Sequence, residues 1–252
     1  MSARYDMKGK VVVVTGASRG IGREIALGFA RAGASLALAS RKAGPLEAVA
    51  AEARALGARA EAIPTHVGKP DEARRLIGEA AARFGRIDVL VNNAATNPAF
   101  GPTVMVDESI WDKIFEVNVR GPFVLCRAAN ERMLAQGGGS IVNVVSVAGI
   151  RPMPGLGAYG VSKAALLHLT RTLAREWAPA IRVNAVAPGL VDTDFSKAIL
   201  TDPGIRAEAL RDVPMAREAK PAEIVDAVLF LADDSSRYVT GEVIVVDGGK
   251  TV

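Results

Sequence analysis

Apolar and polar residues come in blocks along this chain rather than singly. Seven short runs rich in Val, Ile and Ala stand out: "KVVVVTG" (10–16), "SLALAS" (35–40), "ARAEAIPTHV" (58–67), "RIDVLVNNA" (86–94), "GSIVNVVSV" (139–147), "AIRVNAVAPG" (180–189) and "GEVIVVDGG" (241–249). Apolar runs without strict in–out alternation predict strands covered on both faces. Between them, segments such as "GREIALGFARAG" (22–33), "EARRLIGEAAARFG" (72–85) and "AALLHLTRTLAREWA" (164–178) have the apolar spacing of helices. Strands alternating with helices run parallel with right-handed crossovers, which predicts a doubly wound α/β sheet. No linker, repeat or low-complexity tract interrupts the pattern, so one domain over 1–252 is expected. The longest irregular stretch, 190–220, follows the sixth run, and its small, apolar and hinge-prone residues predict a substrate flap.

Composition narrows the class. Half the residues are apolar but only 5% are aromatic, as suits close helix–sheet packing. No apolar stretch approaches the roughly 20 residues that span a bilayer. The N-terminal "MSARYDMKGK" lacks the apolar segment of a secretory leader, and the single Cys126 excludes an internal disulfide framework. A cytoplasmic location is expected. The net charge of +4 is scattered with no run of five basic residues, which argues against a nucleic-acid stripe.

The first strand runs into "TGASRGIG" (15–22), with Gly16, Gly20 and Gly22 leading into a helix. Glycines there allow a tight turn and close backbone approach, and the helix N-terminus offers free N–H groups to a pyrophosphate. Further motifs follow in order: "NNAA" (92–95), Asn118, Ser146, "YGVSK" (159–163), "NAVAPGLVDT" (184–193) and the closing "VVDGG". This ordered set resembles the classical short-chain dehydrogenase/reductase family over nearly the whole chain. The resemblance implies a Rossmann-type seven-stranded parallel sheet of order 3-2-1-4-5-6-7 with helices on both faces, and a nucleotide at its topological switch point.

The resemblance implies coenzyme contacts at Gly16, Ser18, Arg19, Gly20, Ile21 and Gly22, and at Asn92 and Ala94 on the adenosine side. Pro188, Gly189, Val191 and Thr193 are implied to cap the nicotinamide and its phosphate. The end of the second strand selects the coenzyme. An acid there would hold both ribose hydroxyls and repel a 2′-phosphate, but the chain has Ser40, Arg41 and Lys42. Arg41 can fork onto a phosphate and Arg19 can add a second cation, so NADP(H) is expected over NAD(H). Two departures from the family pattern stand nearby. His66 replaces a common Asp beside the adenine, with the Val67 N–H for the adenine edge, and Ala95 replaces a usual Gly.

Tyr159 and Lys163 lie four apart on a predicted helix, which puts ammonium and phenol on one face. The Lys cation and the positive nicotinamide of NADP+ are expected to lower the phenol's pKa from near 10, making Tyr159 the proton donor or base. Lys163 is implied to hold the nicotinamide ribose as well. Ser146, thirteen residues before Tyr159, ends the fifth strand and can hydrogen-bond the substrate oxygen. Asn118 is expected on one long helix. Pro122 has no N–H for its carbonyl, leaving that oxygen for a water in a proton relay from Lys163.

The expected reaction is NADP(H)-dependent, reversible reduction of a ketone or aldehyde, with Ser146, Ala148, Tyr159 and Phe195 against the substrate and no metal. "ALASRK", "THVGKPDE" and "NNAATNPAFG" resemble the carbonyl and retinal reductase branch, and the loop 147–158 with Phe195 and Ile199 predicts an apolar pocket. A 3-oxoacyl carrier-protein reductase is the main enzymatic alternative and a sugar or polyol dehydrogenase the next. A catalytically silent NADP(H)-binding sensor is the alternative outside catalysis. The family likeness also implies a homotetramer built through 107–134 and the catalytic helix.

Overall fold

The computed structural model describes residues 5–252; residues 1–4, part of the stretch read for a leader, lie outside the described residues. In chain order the elements are β1 (Val11–Thr15), α1 (Gly20–Arg31), β2 (Ser35–Ser40), α2 (Ala43–Ala55), β3 (Ala60–Pro64), α3 (Pro70–Phe84), β4 (Val89–Asn92), α4 (Glu108–Phe115), α5 (Gly121–Ala135), β5 (Gly139–Val144), α6 (Gly157–Trp177), β6 (Ile181–Pro188), α7 (Lys197–Leu200), α8 (Pro203–Leu210), α9 (Val225–Ala232) and β7 (Val243–Val246). All seven strands pair in parallel, in the order β3-β2-β1-β4-β5-β6-β7. The order reverses between β1 and β4, which opens a crevice at their C-terminal ends.

Successive β1 residues serve opposite faces. Val12 and Val14 pack with α1, α2 and α9, while Val13 packs with α3 and α5. Both faces are therefore dry, and the continuous apolar run follows from that. Gly28 lets α1 meet α9 closely: a Cβ there would stand 2.4 Å from Val225 Cγ1. Two edge strands are shorter than the apolar runs that predicted them. β3 stops at Pro64, which has no N–H for the ladder. β7 is bounded by Gly241, Gly248 and Gly249, all with positive φ.

The single long helix expected around Asn118 is three pieces. A π-turn over Glu116–Arg120 separates α4 from α5, with the Gly121 N–H bonded back to the Glu116 carbonyl. Pro122 sits just beyond and cannot donate, so the backbone widens by one residue where its helical bond would fall. Among the described residues no helix is long and apolar enough to cross a membrane.

Candidate active site

The glycine turn sits at the end of β1 and is braced from β4. Asn93 Nδ2 donates to the Thr15 carbonyl (2.9 Å), and the N–H groups of Asn93 and Ala94 donate to Thr15 Oγ1 (3.0 and 3.1 Å). A Cβ on Gly22 would stand 2.2 Å from the Gly16 carbonyl oxygen, and one on Gly16 2.7 Å from Asn93 Nδ2. The turn is thus as tight as backbone contact allows, and no side chain caps the α1 N-terminus. Its free N–H groups and positive dipole end suit the pyrophosphate of a dinucleotide. A cavity of about 490 Å³ opens against Gly20, lined by Asp192, Thr193, Asp194 and Lys197 among others.

Asn93, not Asn92, braces this turn. Asn92, which the resemblance puts on the adenosine side, turns its side chain into the core. Its Nδ2 donates to Asn143 Oδ1 (2.8 Å) and Cys126 Sγ (3.2 Å). From there Asn143 donates to Thr170 Oγ1, which donates to the Leu166 carbonyl, tying β4 and β5 to α6. Burial pushes the Cys126 thiol up to about 12, so it is a core group. Period two explains the swap: adjacent residues leaving β4 point to opposite faces.

At the end of β2, Ser40 Oγ donates to the Lys42 carbonyl (3.4 Å), and Arg41 and Lys42 are exposed. Arg19 is exposed too and pairs with Asp194 (2.9 Å) in the flap. His66 has its ring fixed: the Gly68 N–H donates to Nδ1 (3.2 Å), which leaves the proton of the neutral ring on Nε2. Its backbone N–H donates to Glu72, which holds that carboxyl below its ordinary value. Val67 is buried beneath, its carbonyl 2.7 Å from where a Gly121 Cβ would be.

Ser146, Tyr159 and Lys163 converge where β5 meets α6. Ser146 starts a short 3-10 turn over Val147–Gly149, its hydroxyl accepting from the Ala148 N–H (3.2 Å). Gly149 and Gly160 let this turn lie directly on α6: a Cβ at either would meet backbone at 2.7 Å. Lys163 is buried, its Nζ donates to the Val144 carbonyl (2.8 Å), and it lies 5.6 Å from the centre of the Tyr159 ring. Phe195, half exposed, leans over that ring at 5.4 Å between centroids. Asn118 is fully buried. Its Oδ1 accepts the Thr96 N–H (2.9 Å) while its Nδ2 donates to the Thr96 carbonyl and to Ser162 Oγ (both 3.0 Å). Ser162 Oγ in turn donates to the Tyr159 carbonyl (2.7 Å). Asn118 therefore braces α6 with its side chain, a link through Ser162 that the motif "YGVSK" contains but spacing alone does not disclose.

The expected lowering of the phenol does not occur in the protein by itself. Burial pushes Tyr159 up to about 12, with hydrogen bonding to Ser146 pulling weakly the other way. Burial likewise pulls Lys163 down to about 7. In both groups the cause is loss of water, which disfavours the charged form: phenolate in one, ammonium in the other.

Four features are thus assembled at the sheet's C-terminal edge: a glycine turn, a basic strand end, a buried Tyr–Lys pair and the segment 190–220 that brings Phe195 over the phenol. This architecture is that of a dinucleotide-dependent oxidoreductase. The family model described as Enoyl-(Acyl carrier protein) reductase matches residues 16–251. Dehydrogenase/reductase SDR family member 4 of Oryctolagus cuniculus is 40% identical over 99% of this chain and 96% of that protein. The 3-oxoacyl-[acyl-carrier-protein] reductase FabG of Thermotoga maritima is 39% identical over 98% of this chain and 99% of that one. A structure provisionally assigned as an NAD(P) dependent gluconate 5-dehydrogenase from Beutenbergia cavernae, with NADP bound at low occupancy, superposes with TM-score 0.93 at 40% identity, covering 97% of this chain and 98% of that one. The chain belongs to the classical short-chain dehydrogenase/reductase family of oxidoreductases.

Proposed function

We propose that this protein reduces a ketone or aldehyde to an alcohol, reversibly, with NADP(H) as coenzyme. The observation that carries the reaction is the buried Tyr159 with Lys163 Nζ 5.6 Å from its ring and the Ser146 hydroxyl beside it. When bound, the coenzyme supplies or takes the hydride. A phenol at about 12 is fully protonated at neutral pH, which is the form a proton donor for reduction needs. As its proton passes to the substrate oxygen, the Lys163 ammonium stabilises the phenolate left behind, and Ser146 holds the same oxygen by a hydrogen bond. Ala148 and Phe195 supply the apolar wall. Asn118 orients α6 through Ser162.

For the coenzyme, residues 16–22 (Gly16, Ser18, Arg19, Gly20, Ile21 and Gly22) would take the pyrophosphate, with Pro188, Gly189, Val191 and Thr193 over the nicotinamide half. The choice of NADP(H) is supported by a strand end with no carboxylate and the cations Arg41, Lys42 and Arg19. Ala94, His66 and Val67 would flank the adenine. A homotetramer is supported by the exposed Phe123 and Leu134 on α5 and Val161 on α6. Light scattering should then give four chains, and a mass near 26.3 kDa counts against it.

A second reading, reduction of 3-oxoacyl thioesters, is favoured by the 39% identity to the Thermotoga protein and the family model's description. One experiment separates the two: NADPH and NADH oxidation measured against ketones, aldehydes and β-ketoacyl thioesters. NADPH turnover with free ketones and aldehydes is expected to dominate. Turnover confined to thioesters selects the second reading. NADPH binding with no turnover on any of them sinks both and leaves a sensor.

A further inference from the structure

The two ends of the flap meet just beyond β6. The Ala219 N–H donates to the Leu190 carbonyl (2.9 Å) and the Asp192 N–H to the Ala219 carbonyl (2.8 Å), closing the base of the loop. Its first limb is held to the body by the Arg19–Asp194 pair, whose side chains are 70% and 61% exposed. The second limb meets the C-terminal segment, and that contact is of another kind.

Asp247 folds this segment into a knot, accepting the N–H groups of Gly249 and Thr251 and the Thr251 hydroxyl, each at 2.8 Å. From the knot Lys250 Nζ donates to the Ala209 carbonyl (2.8 Å) in the last turn of α8. A helix leaves its last carbonyls without partners, and a cation there is favourable. The Gly248 carbonyl accepts the Met215 N–H (3.1 Å). The fit is close: a Cβ on Gly249 would stand 2.9 Å from Pro214 and one on Gly248 3.0 Å from Val213. Just beyond, Ala216 has φ +54°, the one positive φ at a non-glycine among the described residues. Such a conformation persists where surrounding contacts impose it. The knot also faces the coenzyme side, since a Cβ on Gly189 would be 2.8 Å from Asp247 Cα.

We propose that residues 247–251 are a fixed clasp on the flap and that Lys250 is a positioning residue for substrate. By holding the end of α8 it sets where the other limb, with Phe195 against Tyr159, lies over the phenol. The exposed Asp194 end yields first, and the clasped end is the pivot. Arg206 to Glu218 (2.8 Å) is a second tie on α8, so Lys250 tunes the flap rather than creating it. The kinetic part of the proposal rests on the carbonyl-reductase reading; the structural part does not.

The test uses the full chain with Lys250→Met, which keeps the stem and loses the donor, and Lys250→Arg, which keeps a donor. In the ligand-free protein, hydrogen exchange over 197–210 is expected to quicken about tenfold in Lys250→Met, with α1 and α6 unchanged. With NADPH saturating, KM for the carbonyl substrate should rise about fivefold while kcat and NADPH affinity stay within about twofold. Lys250→Arg should restore both. Unchanged exchange overturns the clasp, and faster exchange with unchanged KM overturns the positioning role. Loss of coenzyme affinity and melting temperature together marks a merely structural residue and overturns it as well. A wild type that reduces no carbonyl sinks the functional reading alone, because the exchange arm still decides the clasp.

Discussion

The floor of the site and the flap above it are held by different forces. On the floor, Lys163, Asn118, Asn143 and Thr170 are all buried, and each is tied by hydrogen bonds at or below 3.0 Å. Removing one partner there leaves a polar group stranded away from water, which costs more than the bond itself contributes. Over the flap, Arg19–Asp194 and Arg206–Glu218 lie in solvent on at least one side. Such pairs contribute little and weaken with salt. The buried floor is thus held by bonds that water cannot replace, and the first limb of the flap by a pair that water and salt can.

Four changes break or sharpen that contrast. The largest effect belongs to the floor's phenol. Tyr159→Phe should lower turnover about a hundred- to ten-thousandfold while NADPH binding, followed by fluorescence titration, is retained. Loss of binding in step with turnover would mean the ring positions coenzyme rather than moves a proton.

Next comes the phosphate turn. Gly22→Ala forces a methyl onto the Gly16 carbonyl, and overpacking of this kind costs about 1–3 kcal/mol. Coenzyme affinity should fall and calorimetry should show a lowered melting temperature. A Gly22→Ala variant that melts and binds like the wild type would show the turn to be looser than its contacts imply.

The third is a pH profile. Burial pulls Lys163 down to about 7, and in the proposed reaction it must be charged to stabilise the phenolate. Reductive kcat/KM is therefore expected to be flat below that value and to fall about tenfold per unit above it. Stability moves in the opposite sense. An unfolded lysine keeps its proton to about 10.4, so the unfolded chain binds more protons between roughly 7 and 10 and stability from this group rises with pH there. Lys163→Met should remove that rise from chemical denaturation curves. A rise of equal size in the variant assigns it to other groups.

The smallest effect is at the flap's edge. Asp194→Asn frees Arg19 for a phosphate, so NADPH should bind about two- to fivefold tighter at low salt, with NADH unchanged and the gain lost at high salt. Equal gains for both coenzymes would remove Arg19 from phosphate recognition.

Much of this molecule follows from short-range pattern. Buried parallel strands need unbroken apolar runs, and helices between them fix direction and handedness, so the sheet order was open to reading from blocks of Val and Ile together with the family's motif order. The turn at 15–22 and the one-turn spacing of Tyr159 and Lys163 are likewise local geometry. Other features depend on what arrives from far along the chain. Whether Asn92 or Asn93 braces the turn depends on which faces β5, and Asn118 reaches α6 through Ser162. Tyr159 and Lys163 shift in the directions they do because the folded protein strips both of water, a property of packing and not of spacing. The sequence by itself determined which groups stand one helical turn apart and where glycines tighten the first turn. Only the tertiary structure decided which of them are dry, which are braced, and that residues 248–250 meet the segment 209–215, because burial and long-range contact have no local signature.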